Sequence, residues 1–97
     1  MFTINNSPRN GFQITFQNGY TVSVQFGRYN YCSNQGNETE PLTHCEDAEV
    51  ALVHPNGWLI DLFGKLDWWN YNETVNGYTT PDQLAELIAY AQALPAR

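Results

Sequence analysis

A chain of 97 residues, 42% hydrophobic and 14% aromatic, can bury one modest core and is too apolar to remain disordered. Four basic residues against ten acidic ones, a net charge of −6, exclude the basic stripe with which a direct nucleic-acid binder displaces phosphate counterions. No window approaches the ~18 apolar residues of a membrane span, and the opening MFTINNSPRN has neither the basic nor the apolar region of a secretory leader.

The first predicted element is a hairpin. In FQITFQNGYTVSVQF, Phe12, Ile14 and Phe16 alternate with polar residues, and so do Tyr20, Val22, Val24 and Phe26. Period two on both sides of Asn18-Gly19 predicts strands over about 12–17 and 20–26, joined by a turn whose two central residues take positive φ. One face is apolar and the other is Thr, Ser and Gln, so one side of the sheet is covered and the other is wet. MFTI before it has the composition of a short edge strand.

The segment RYNYCSN follows. Tyr29 and Tyr31 read as a continuation of the strand, which places Arg28, Asn30 and Cys32 together on its opposite face. Arg28, Asn30 and Tyr31 are then candidate binding contacts, and Cys32 is packing. The acidic run Glu38, Glu40, Glu46, Asp47 and Glu49 comes next. It reads either as a solvated face or as an electronegative patch for a basic partner.

Residues 49–63, EVALVHPNGWLIDLF, repeat the turn chemistry. Strands are predicted over about 49–54 and 58–63 around Pro55-Asn56-Gly57, with more apolar residues on both faces. The connection 64–79 carries DWWNYN, whose Trp68, Trp69 and Tyr71 are candidate binding residues because Trp and Tyr dominate recognition hot spots. The structural alternative is that one indole caps the end of the core. Thr80, Pro81 and Gln83 then spell an N-cap, a first helical position and a capping box. Leu84, Leu87, Ile88, Ala91 and Leu94 recur at helical spacing, predicting a helix over about 81–94.

The expected fold is a single α+β domain, residues 1–97: a four-stranded antiparallel sheet of two β-hairpins with one C-terminal helix packed on it. Loops 27–48 and 64–79 are long for so small a domain, which points to function. Chemistry is hard to find in them. Cys32, His44, Cys45 and His54 lack the close pairing of a zinc motif, no third group or oxyanion donor accompanies a Cys–His pair, and no glycine-rich phosphate loop is present. No metal, cofactor or enzymatic activity is expected. A cytoplasmic setting implies reduced thiols.

GFQITFQNGYTVSVQFG running into NYCSN, then DAEVAL, then VNGYTTPDQLAELIAYAQAL, resembles a small protein encoded widely in tailed phages and prophages, across Gly11 to Leu94. The resemblance implies an accessory gene product acting in the host cytoplasm, and it supplies context without a mechanism. With it, the leading expectation is a non-enzymatic phage accessory protein that binds and blocks an anti-phage defence component, docking on a basic host protein. One alternative is a homo-oligomeric protein that sequesters a small signalling nucleotide with Arg9, Arg28 and Lys65. Another is a carbohydrate-binding module using Trp68, Trp69 and Tyr71.

Overall fold

The computed structural model describes residues 1–6, 10–39 and 41–96. Its chain runs β1 (Phe2–Asn5), β2 (Gly11–Thr15), β3 (Thr21–Gln25), β4 (Ala48–Val53), β5 (Asn76–Thr79) and α1 (Pro81–Gln92). The strands form one five-stranded antiparallel meander whose spatial order is the chain order. The architecture is α+β with one C-terminal helix on an antiparallel sheet, and the sheet has five strands where four were expected.

The β2–β3 register places Phe12 opposite Val24 and Ile14 opposite Val22, so the apolar residues share one face. Across β3–β4, Val22 faces Leu52 and Val24 faces Val50. All four of these are buried, and α1 crosses β3 and β4 to add Leu87 and Ala91 to the same core. On the other face the hydroxyls of Thr15 and Thr21 pair across the strands at 2.9 Å. The hairpin turn differs from the expected two-residue form. The Phe16 N–H donates to the Tyr20 carbonyl and the Gly19 N–H to the Phe16 carbonyl, and at this turn only Gly19 has positive φ, at 93°. That is a three-residue loop with glycine in the left-handed position.

Asn18 serves both the turn, where its Oδ1 accepts from the Tyr20 N–H, and the end of the helix. Its Nδ2 donates to the carbonyls of Ala91 at 2.8 Å and Leu94 at 3.0 Å, satisfying acceptors that the end of a helix leaves without intrahelical partners. The helix stops at Gln92, two residues before the expected end, and Asn18 closes it. At the other end the capping box forms as read: Gln83 N–H donates to Thr80 Oγ1, and Thr80 N–H donates to Gln83 Oε1.

The largest departure lies at 58–63. The Pro55–Gly57 turn forms and Val53 bridges Leu59, but the return segment then leaves the sheet. Asp61 accepts from the Phe63 N–H, Gly64 takes φ 85°, and the chain turns away. The alternation of WLIDLF instead serves to insert Leu62 into the core. The edge of β4 is taken by β5, where Ala48 pairs with Thr79 and Val50 with Asn76 around a register shift. NGYT has no strand-like alternation. Side chains hold it: Asn76 Nδ2 donates to Thr79 Oγ1 at 2.7 Å, and Asn76 Oδ1 accepts from the Asn70 N–H.

β1 pairs with β2 as the other edge, with Phe2 opposite Ile14 and Ile4 opposite Phe12. Phe2 and Ile4 are exposed. Among the described residues no helix is long and apolar enough to cross a membrane.

Candidate functional site

At the end of β3 the cross-strand pair Gln25 and Glu49 projects from the face opposite the core. The chain turns at Gly27, whose carbonyl accepts from the Asn30 N–H, and then folds back over that pair. Asn30 Oδ1 accepts from the Gly27 N–H, while Nδ2 donates to Gln25 Oε1 and Glu49 Oε1, both at 3.0 Å. The other carboxylate oxygen of Glu49 accepts from the Tyr31 N–H at 3.0 Å. Asn30 is 1% exposed with all of these bonds made inside the protein. It builds the loop and offers no surface to a partner, which corrects the expectation that it is a contact residue. The turn at Gly27 also ends the strand, so Arg28, Asn30 and Cys32 do not share a strand face.

A second knot lies beside it. Asp47 Oδ1 accepts from both the N–H and the hydroxyl of Ser33, and Asn34 Nδ2 donates to the carbonyls of Phe26 and His44. Together these bonds bring Cys32 to Cys45. Both are free thiols. The two sulfurs and an Asp47 carboxylate oxygen lie within 4.8 Å of one another, the one such group of metal-type ligands among the described residues. Cys32 is sealed in the interior and burial pushes its thiol up to about 11, with the neighbouring Cys45 and Asp47 acting in the same direction. Cys45 is half-buried. Its own burial opposes ionisation, but hydrogen bonding with the backbone of Asp47 and Asn34 and with the side chains of Ser33 and Cys32 outweighs it and leaves Cys45 below the ordinary value of 9.0. Cys45 therefore ionises more readily than Cys32.

The acidic run is divided by these bonds. Asp47 and Glu49 are half-buried and hold the loop, so they are not free to meet a basic partner. Glu38 and Glu46 are exposed. Glu40 and Arg9 lie outside the described residues. The zinc-type set considered from sequence does not assemble, because His54 sits at the far end of β4, stacked on Trp58 with ring centres 3.8 Å apart. Asp47 takes the place in the cluster that no sequence spacing marked.

The tryptophans turn inward. Trp69 is 2% exposed and its indole N–H donates to the Glu73 carbonyl; Trp68 packs at the edge of the core and donates to Glu86 of α1 at 2.7 Å. Trp69 offers no free ring face, which corrects it as a binding residue, while Trp68 is half-buried. Tyr71 remains exposed, set edge-on against Phe63 at 5.0 Å.

The exposed aromatic cluster is elsewhere. Tyr78 N–H donates to the Tyr31 carbonyl, and Tyr78 OH donates to Gln35 Oε1. Gln35 also lines a shallow cleft of about 440 Å³ with Arg28, Tyr29, Gly36 and Glu38. Tyr29, Tyr31 and Tyr78 are 69%, 58% and 53% exposed, a cluster resting on the two knots below. Tyr78 has φ 54°, a left-handed conformation that costs a non-glycine residue on the order of 1 kcal/mol. Gly77 lies so close to Tyr31 that a Cβ there would stand 2.8 Å from the tyrosine Cβ. Tyr31 is a candidate in the sequence and Tyr78 is not, because its placement depends on an unpredicted strand.

Fold and site together define a small α+β domain, a five-stranded meander with one helix, that presents a pinned tyrosine loop. Compared with protein-family models, curated proteins and solved structures, the chain matches none.

Proposed function

We propose that the protein is a non-enzymatic phage accessory protein that binds and blocks a host anti-phage defence protein through its tyrosine loop. The observation that carries the reading is the set Tyr29, Tyr31 and Tyr78, exposed on the loop after β3 and on β5 beside it, with the loop backbone held by Asn30, Glu49, Ser33 and Asp47. Tyrosine gives large contact area at low entropy cost, and a pre-ordered loop loses little further freedom on binding. The strained Tyr78 supports the same reading, because backbone strain is retained mainly where surroundings and function hold it. Glu38 and Glu46 leave an acidic margin to the surface, which favours a basic partner.

The nucleotide reading has less support. The cleft beside Arg28 and Tyr29 offers a cation and a ring, but Glu38 lines it and repels phosphate. The carbohydrate reading loses Trp69, which is buried, from its platform.

The test is expression of the wild type in hosts that each carry one defined defence system, scored by plating of a phage which that system restricts. Restored plating against one system, lost in the Tyr29→Ser/Tyr31→Ser/Tyr78→Ser variant, together with a salt-sensitive complex with that system's protein, is the expected result. Restoration that the triple variant retains refutes the tyrosine surface. No restoration with any system refutes the inhibitor reading.

A further inference from the structure

We propose that Cys32, Cys45 and Asp47 form a binding site for one thiophilic divalent cation of the zinc class, with a fourth position open to water or an outside ligand. The three donors come from separate parts of the chain, Cys32 from the turn after β3 and the other two from the run entering β4. Their ligand atoms lie within 4.8 Å of one another, and Cys45 Sγ stands 4.0 Å from Asp47 Oδ1. Around a tetrahedral zinc with bonds of about 2.3 Å to sulfur and 2.0 Å to oxygen, ligand atoms are separated by roughly 3.5–3.8 Å. With donor atoms up to 4.8 Å apart, a tetrahedral ion needs closure of up to about 1.3 Å, which side-chain torsions can supply.

The surroundings are those a metal–thiolate centre needs. Ser33 donates both its N–H and its hydroxyl to Asp47 Oδ1, the oxygen that stands 4.0 Å from Cys45 Sγ, and so orients the carboxylate. Two thiolates and a carboxylate carry three negative charges, which a divalent cation reduces to one. Zinc and metals like it favour this mixed sulfur and oxygen set, whereas magnesium and calcium require oxygen alone.

Access is one-sided. Cys32 is enclosed at 1% exposure, while Cys45 lines a cleft of about 270 Å³ with Asn10, Asn34, Leu42 and His44. Asn10 Oδ1 borders this cleft as a buried acceptor with no hydrogen-bond partner. A water in the cleft would supply the missing donor. The closed side is thus protein and the open side faces the cleft, the arrangement of a site with an exchangeable fourth ligand. This inference is independent of the tyrosine surface.

Cobalt(II) and zinc(II) added to the reduced, full chain are the probes. One equivalent of cobalt should produce intense sulfur-to-cobalt charge-transfer absorption with tetrahedral d–d bands, and one equivalent of zinc should discharge it. Cys32→Ser and Cys45→Ser should each lose that spectrum. Asp47→Asn should weaken zinc by at least the roughly tenfold that loss of an outer-shell partner costs. Zinc should also slow alkylation of both thiols in the wild type, a readout that requires no variant to fold. The proposal is overturned if reduced wild type shows no charge-transfer band. Binding that persists in the Cys32→Ser/Cys45→Ser double variant, or alkylation rates unchanged by excess zinc, overturns it equally.

Discussion

The Asn30 side-chain amide donates to Glu49 at 3.0 Å, and the same carboxylate holds the Tyr31 N–H through its other oxygen. One acidic side chain on β4 therefore fixes both the buried foot of the loop and the backbone of its exposed tyrosine. Hydrogen bonds to a charged group contribute about 1.5–3 kcal/mol. Asn30→Ala is expected to lower stability by about that amount, read as the urea midpoint. Asn30→Asp keeps the shape but sets a carboxylate against Glu49. Its loss should be greater at pH 7 than in acid, where one of the two groups is protonated.

The two thiols should differ in rate. In metal-free protein, iodoacetamide is expected to modify Cys45 well before Cys32, because Cys45 is the more ionised and the more exposed. Peptide mass mapping at early time points checks the order. Equal rates in the folded protein would contradict the asymmetry.

Opposite pH dependences follow for stability. The folded Cys32 holds its proton up to about 11 against 9.0 in the unfolded chain, so its contribution is complete below pH 9 and is lost between about pH 9 and 11. The maximum slope is about 1.4 kcal/mol per pH unit. Cys45, lowered in the folded state, contributes stability that is present above pH 9 and lost as pH falls through its folded value. Urea midpoints of wild type, Cys32→Ser and Cys45→Ser across this range separate the two: the alkaline decline should shrink in Cys32→Ser and persist in Cys45→Ser.

At the opposite end of the sheet, Asn18→Ala should destabilise by about 1–2 kcal/mol, since it removes the amide donor to the Ala91 and Leu94 carbonyls and the acceptor of the Tyr20 N–H in the turn. For a domain of this size that corresponds to a fall in Tm of about 4–16 °C. Differential scanning calorimetry measures it.

Gly77→Ala tests the tyrosine surface without altering a tyrosine. The new Cβ stands 2.8 Å from the Tyr31 Cβ, so one of the two segments has to shift. Loss of partner binding with most of the stability retained is the expected outcome. Unchanged affinity would separate Tyr31 from recognition.

Elements whose signal is local were legible in sequence. The β2–β3 pairing followed from period two, and the helix start from Thr80, Pro81 and Gln83. What was not legible depends on distant partners. WLIDLF alternates as a strand does, yet Leu62 is used to fill the core because β5 already holds the edge of β4. NGYT becomes a strand through Asn76 and Thr79, polar residues with no periodic signature. Asn30 drew notice correctly, but as a contact, because only the register of Gln25 against Glu49 shows that its amide is enclosed. Asp47 lay in a run of acids, and nothing in that run distinguishes the one carboxylate placed beside two sulfurs.

The Asn18 contact with the helix end joins residues 73 positions apart. A turn that nucleates early thus carries the clasp for the element that docks from furthest along the chain. Chain-closure entropy delays such a contact until after the hairpin has formed. Asn18 Oδ1 also accepts from the Tyr20 N–H within the turn, so Asn18→Ala should slow refolding through that local bond and speed unfolding through loss of the clasp, which governs how long the folded state lasts.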